Sequence, residues 1–90
     1  MNENVETFPL RRPVTITFNA GQANERSETI ERLEMRSVSK ARDLRVVDGH
    51  EGEVAKAIAL IAHLSGQPIR VIDELDPEDF AVLARKVNLF

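Results

Sequence analysis

Two histidines, His50 and His63, are the residues of this chain best suited to hold a metal or to move a proton near neutral pH. They stand thirteen residues apart, whereas a metal site needs ligands on elements that converge. His50 falls in a glycine-flanked loop and His63 opposite the apolar face of its helix, so both read as surface histidines. The chain has no cysteine, which excludes disulfides and thiolate zinc ligation alike. Carboxylates are dense at Asp73, Glu74, Asp76, Glu78 and Asp79. A divalent cation takes such oxygens, but the calcium-loop pattern of alternating ligands about a central glycine is missing. Capping and solubility account for this acidic run. Ser27, Ser37, Ser39 and Ser65 lie in no Gly-x-Ser-x-Gly setting, and neither a dinucleotide nor a Walker-type loop occurs. The reading therefore assigns no catalytic residue, no metal ligand and no cofactor.

Ninety residues make one small domain with a thin core. The four aromatics are all Phe, so that core must be aliphatic. The first residues are acidic and polar, unlike a secretory signal. The longest apolar stretch, near residues 54–64, is broken by Lys56 and His63 and falls short of the roughly 20 residues a bilayer requires. A cytosolic location is expected. Charge is uneven: residues 11–45 carry eight Lys/Arg against five Asp/Glu, and residues 46–90 carry four against eight. A basic front and an acidic rear would suit head-to-tail association or nucleic acid. The scarcity of aromatic stacking groups argues against the latter.

The elements follow from period and punctuation. Residues 1–7 read as a disordered leader and 8–90 as a single domain. Pro9 and Pro13 rule out a helix at the entry. Val14-Thr-Ile-Thr-Phe18 alternates with period two, placing Val14, Ile16 and Phe18 inward on a strand. Asn19–Asn24 is a turn cluster. Thr29–Arg36 reads as the second arm, with Leu33 and Met35 inward, Ile30 on the other parity and a bulge to reconcile them; a short helix is the competing reading. A helix capped by Ser39 follows, with Ala41, Leu44 and Val47 on one face and Asp48-Gly49 at its end. The next is expected over about Glu51 to Ser65, with Val54, Ala57, Ile58, Ile61 and Leu64 on its core face. Gly66 fits a left-handed C-cap, and Pro68 prevents continuation. A short turn then presents Ile69 and Ile72. Asp76-Pro77 is the strongest start signal, with Leu75 and Phe80 placed as a hydrophobic staple and Phe80, Leu83, Ala84 and Val87 as a stripe. The expected fold is α+β: an N-terminal β-hairpin followed by a small bundle of three to four helices.

Apolar residues off these stripes suggest a partner surface. Leu60 is expected beside the core face of its helix, Val82 leaves the Phe80 stripe, and Leu89 and Phe90 end the chain. These four are the expected partner-binding residues.

The ordered segments Arg12-Pro-Val-Thr-Ile16, Leu33-Glu-Met-Arg36, Asp43-Leu44, Leu60-Ile-Ala-His-Leu-Ser-Gly66, Leu75-Asp-Pro-Glu-Asp-Phe80 and Val87-Asn-Leu-Phe90 carry a resemblance. Over roughly residues 8–90 the chain resembles the phage tail assembly chaperone family of contractile-tailed (Mu-like and P2-like) bacteriophages and prophages. It departs from the family pattern at Met35, Val38 and Ser65 and in a long loop over Asn19–Glu28. The resemblance implies a non-enzymatic protein that binds the tape measure protein during tail morphogenesis in the bacterial cytoplasm and is absent from the mature virion. Its implied partners are the tape measure protein, the tail tube protein and a frameshifted longer form of itself, with weak self-association and no membrane. Two rival readings remain: a nucleic-acid-binding regulator using Arg36, Lys40, Arg42 and Arg45, and a structural component of the phage tail.

Overall fold

The computed structural model describes residues 5–38 and 40–87. Strands β1 (Val5–Phe18) and β2 (Arg26–Arg36) pair antiparallel into a two-stranded hairpin. A 3₁₀ helix (Ala41–Val47) leads to α1 (Glu53–Ser65), α2 (Ile69–Asp73) and α3 (Pro77–Lys86). This is the α+β architecture expected, hairpin first and helices after. The second arm is a strand, so the helical alternative for Thr29–Arg36 is set aside.

The hairpin departs from expectation in length and in where its irregularity lies. β1 begins at Val5, inside the stretch expected as leader, because Val5–Phe8 pair with Leu33–Arg36. The ladder runs to Pro9 opposite Arg32 and resumes at Val14 opposite Ile30. Residues 10–13 thus stand against Glu31 alone, and the bulge belongs to the first strand. Pro9 and Pro13 bracket it, since neither has an N–H to give to a ladder. Beyond the bulge the period-two pattern holds, with Val14 and Ile16 buried and Phe18 half-buried. On the opposite, exposed face, Thr15 pairs with Thr29 and Thr17 with Ser27 through hydroxyl–hydroxyl hydrogen bonds of 3.0 Å.

Helix α1 is the strut of the domain. It packs against β2, the 3₁₀ helix, α2 and α3, and Ala59, Leu60, Ile61, Ala62 and Leu64 are all buried. Gly66 takes the left-handed conformation at its C-cap (φ 71°) and donates its N–H to the Ala62 carbonyl. The helix starts at Glu53, and Val54 in its first turn is exposed, not on the core face as expected. In α2 the buried pair is Val71 and Ile72, while Ile69 stays largely exposed. Ile69 is the first residue of this five-residue helix. The expected helix over Ala41–Val47 is 3₁₀ rather than α, with Val46 and Val47 against the core and Leu44 exposed. Its expected cap, Ser39, lies outside the described residues.

Helix α3 begins as its sequence dictates. The Asp76 carboxylate accepts the Glu78 backbone N–H at 3.0 Å, and Pro77 occupies the first helical position. Leu75 is buried and Phe80 half-buried against the core, with Leu83 and Val87 buried further along. The core that results is aliphatic apart from Phe8 and the half-buried Phe18 and Phe80.

Candidate functional site

Between β1 and α3 runs an open apolar groove of about 570 Å³, lined by Glu6, Phe8, Pro9, Val82, Arg85 and Lys86. That volume lies in the range of ordinary binding clefts, which run to about 300–1,000 Å³. One wall is the N-terminal half of β1, where Phe8 and Pro9 precede the bulge. The other is the outward face of α3, where Val82 is 50% exposed. Lys86 Nζ closes one end on Glu6 Oε1 at 2.7 Å.

A polar clamp sets the spacing of these walls. The bulge strips Arg11 and Arg12 of ladder partners for their backbone N–H groups. Both donate to one carboxylate, Asp79, at 3.0 Å to Oδ1 and 3.1 Å to Oδ2. Asp79 sits in the first turn of α3 and is 5% exposed. A buried carboxylate is tolerated when its lone pairs are met, and these two amides meet them. Arg11 also reaches Glu78 at 2.8 Å and Arg12 reaches Asp76 at 3.4 Å. Both arginine side chains are well exposed, so these pairs add little energy; the backbone clamp carries the joint.

A second polar cluster joins the end of β2 to the 3₁₀ helix and α1. Arg36 Nη1 and Nη2 donate to the two oxygens of Asp43 at 3.2 and 3.1 Å. Asp43 is buried in the 3₁₀ helix and also accepts the Lys40 backbone N–H at 3.3 Å. His63 Nε2, on α1, is 2.9 Å from Asp43 Oδ1 and 2.9 Å from Arg36 Nη2. A single ring nitrogen donates to Asp43 or accepts from Arg36, according to its tautomer. A histidine held by a carboxylate is half of a hydrolytic triad, but among the described residues no hydroxyl is bonded to His63. The cluster ties hairpin, 3₁₀ helix and α1 together. It also occupies Arg36, one of the four cations of the nucleic-acid reading, while Lys40, Arg42 and Arg45 are exposed. Among the described residues no group of three or more His, Asp or Glu is placed to hold a metal ion.

The four expected partner-binding residues fare differently. Leu60 is 1% exposed and belongs to the core. Its expected position beside the core face is corrected, because α1 meets β2, the 3₁₀ helix, α2 and α3 and not one element alone. Val82 is exposed on the groove wall. Leu89 and Phe90 lie outside the described residues. Phe8 and Pro9, which build the opposite wall, were missed. The available signal was the alternation of Phe8 and Leu10 with Thr7 and Pro9, which reads as strand once proline is allowed at an edge.

Two walls and an open cleft, on a hairpin braced by helices, make a small α+β domain with a partly apolar groove on its surface. No helix among the described residues is long and apolar enough to cross a membrane. The family described as phage tail assembly chaperone proteins, E, or 41 or 14, matches residues 7–90, and the chain belongs to that family. Searches of curated proteins and of solved structures return no match.

Proposed function

We propose that this protein keeps the tape measure protein of a phage tail soluble while the tail is assembled, and that it does so by binding and not by catalysis. Membership of the tail assembly chaperone family over residues 7–90 is the observation that carries this reading. A tape measure is a long helical rod with apolar patches, and bare patches of that kind aggregate. A small domain with an open apolar groove suits the need to cover them. Many weakly bound copies along one rod gain avidity from their number, yet each copy remains displaceable. On this reading the protein acts in the bacterial cytoplasm, meets the tail tube protein as the tube polymerises, works beside a longer frameshifted form of itself, and leaves before the virion is complete.

Co-expression tests it. The tape measure protein of the same tail should be insoluble alone and become soluble and co-purify when the two are made together. Failure of both rescue and co-purification rejects the reading. Stoichiometric amounts of the chain in purified particles would instead make it a structural tail component.

A further inference from the structure

The groove is apolar along its floor and cationic along one rim. Phe8, Pro9 and Val82 supply the apolar surface, and Arg85 and Lys86 stand in the last turn of α3. Lys86 is held by Glu6. Arg85 makes no ion pair among the described residues. The rim therefore offers one guanidinium without a carboxylate, in a protein whose formal net charge is −3. Val82 and Arg85 are three residues apart on one helix, so their side chains emerge about 4.5 Å apart along its axis. A matching segment carries an apolar side chain and a carboxylate at the same separation, as positions one helical turn apart provide.

We propose that the groove between β1 and α3 seats an acidic amphipathic segment of the client polypeptide, its apolar side chain resting on Phe8, Pro9 and Val82 and its carboxylate on Arg85. This rests on the chaperone reading and locates the surface that reading needs. The charge match separates it from the other exposed apolar positions. Val54, at 61% exposure, is more open than Val82, but it is not among the residues that line this groove, and its neighbour in the chain is the acid Glu53.

The test uses the full chain co-expressed with the tape measure protein, in four forms: wild type, Val82→Glu, Arg85→Glu and Val54→Glu. Readouts are the soluble fraction of the tape measure protein and the dissociation constant of the purified complex. Each variant's melting temperature is recorded, and all three should melt like wild type because the altered side chains are exposed. Val82→Glu and Arg85→Glu should each weaken binding roughly tenfold, and Val54→Glu should leave it unchanged. Raising salt should weaken the wild-type complex more than that of Arg85→Glu, since the variant has lost the attraction that ions screen. If wild type rescues the client and both groove variants bind as tightly, the client sits elsewhere and the chaperone reading stands. If wild type neither rescues nor binds, both proposals fall. If the groove variants alter the chain's own oligomeric state and leave client affinity untouched, the occupant is a second copy, and the inference is wrong.

Discussion

Helices α1 and α3 border the same core and meet it in opposite ways. In α1 four consecutive residues, Ala59 to Ala62, are buried along with Leu64. In α3 the buried apolar contact is Leu83, extended by Val87 at the C-cap, and Val82 stays exposed. The difference comes from position. Neighbours on several sides take up every apolar residue in the middle of α1. Helix α3 lies on the perimeter, where one stripe suffices to hold it and the outer face is left for other contacts. The polar devices divide likewise. The Arg36–Asp43–His63 cluster joins elements that are already packed together, whereas the Asp79 clamp fixes a helix that has fewer apolar contacts to hold it. A helix contacted by four other elements is structure; a helix clamped at its edge can also be a wall of a site.

The comparison breaks most visibly at Leu60. Introducing a carboxylate there removes about 2–3 kcal/mol of apolar burial and places a charge where no partner exists, a far larger penalty. A domain of this size has only about 5 kcal/mol to lose. Leu60→Glu should therefore abolish the cooperative thermal melt followed by circular dichroism. A folded variant with a normal melt would mean that α1 is not enclosed, and the contrast with α3 would collapse.

The Asp79 clamp is next in size. Asp79→Ala leaves the Arg11 and Arg12 amides without their carboxylate and takes an acid from the first turn of α3. Hydrogen bonds to charged groups contribute about 1.5–3 kcal/mol each, less what water restores at a part-buried site. A loss of about 2–4 kcal/mol is expected, which lowers the melting temperature by roughly 10–25 °C. Amide exchange locates the cause: the Arg11 and Arg12 N–H groups should lose protection selectively. Unchanged exchange at these two positions would show that α3 is held by packing alone.

How far these roles could be read in the chain depends on the range of the interaction. Asp76-Pro77 and Gly66-x-Pro68 act within a few residues, and both start and stop signals are where the sequence places them. Val14-Thr-Ile-Thr-Phe18 is local in the same sense. In the sequence Asp79 reads as part of an acidic cap run, because its true partners lie 67 and 68 positions away in a bulge that only the paired strands reveal. His63 meets Arg36 and Asp43 across 27 and 20 positions. Leu60 fails for another reason: periodicity finds one narrow apolar face, and the second half of α1 is buried over a wider one, Ala59 to Ala62 with Leu64. Val54 and Ile69 fail in the opposite sense, both exposed in the first turn of their helices. Of the groove, Val82 was legible as an apolar residue off its stripe, whereas Phe8 and Pro9 were hidden by the prolines that made β1 look shorter.

The Asp76 cap is a smaller test of how α3 is anchored. Its carboxylate satisfies one amide at the helix start and faces Arg12 weakly. Asp76→Ala should cost about 1 kcal/mol, or roughly 4–8 °C of melting temperature. An unchanged melt would shift the anchoring of α3 entirely to Asp79 and sharpen the distinction between clamp and cap.

The smallest effect is expected at Val82, and it carries the comparison furthest. Val82→Glu makes the same kind of change as Leu60→Glu, a carboxylate in place of an aliphatic group on a helix. Val82 is 50% exposed and Leu60 is 1% exposed, so the new charge stays hydrated in one case and is buried in the other. Surface substitutions of this type stay within about 0.5 kcal/mol, and glutamate is a better helix former than valine, which offsets part of the lost contact. The melting temperature of Val82→Glu should therefore stay within a few degrees of wild type while Leu60→Glu does not fold. A large drop at Val82 would mean that its side chain is part of the packing between β1 and α3. The groove would then be a seam of the core, and α3, like α1, would have no face to offer a partner.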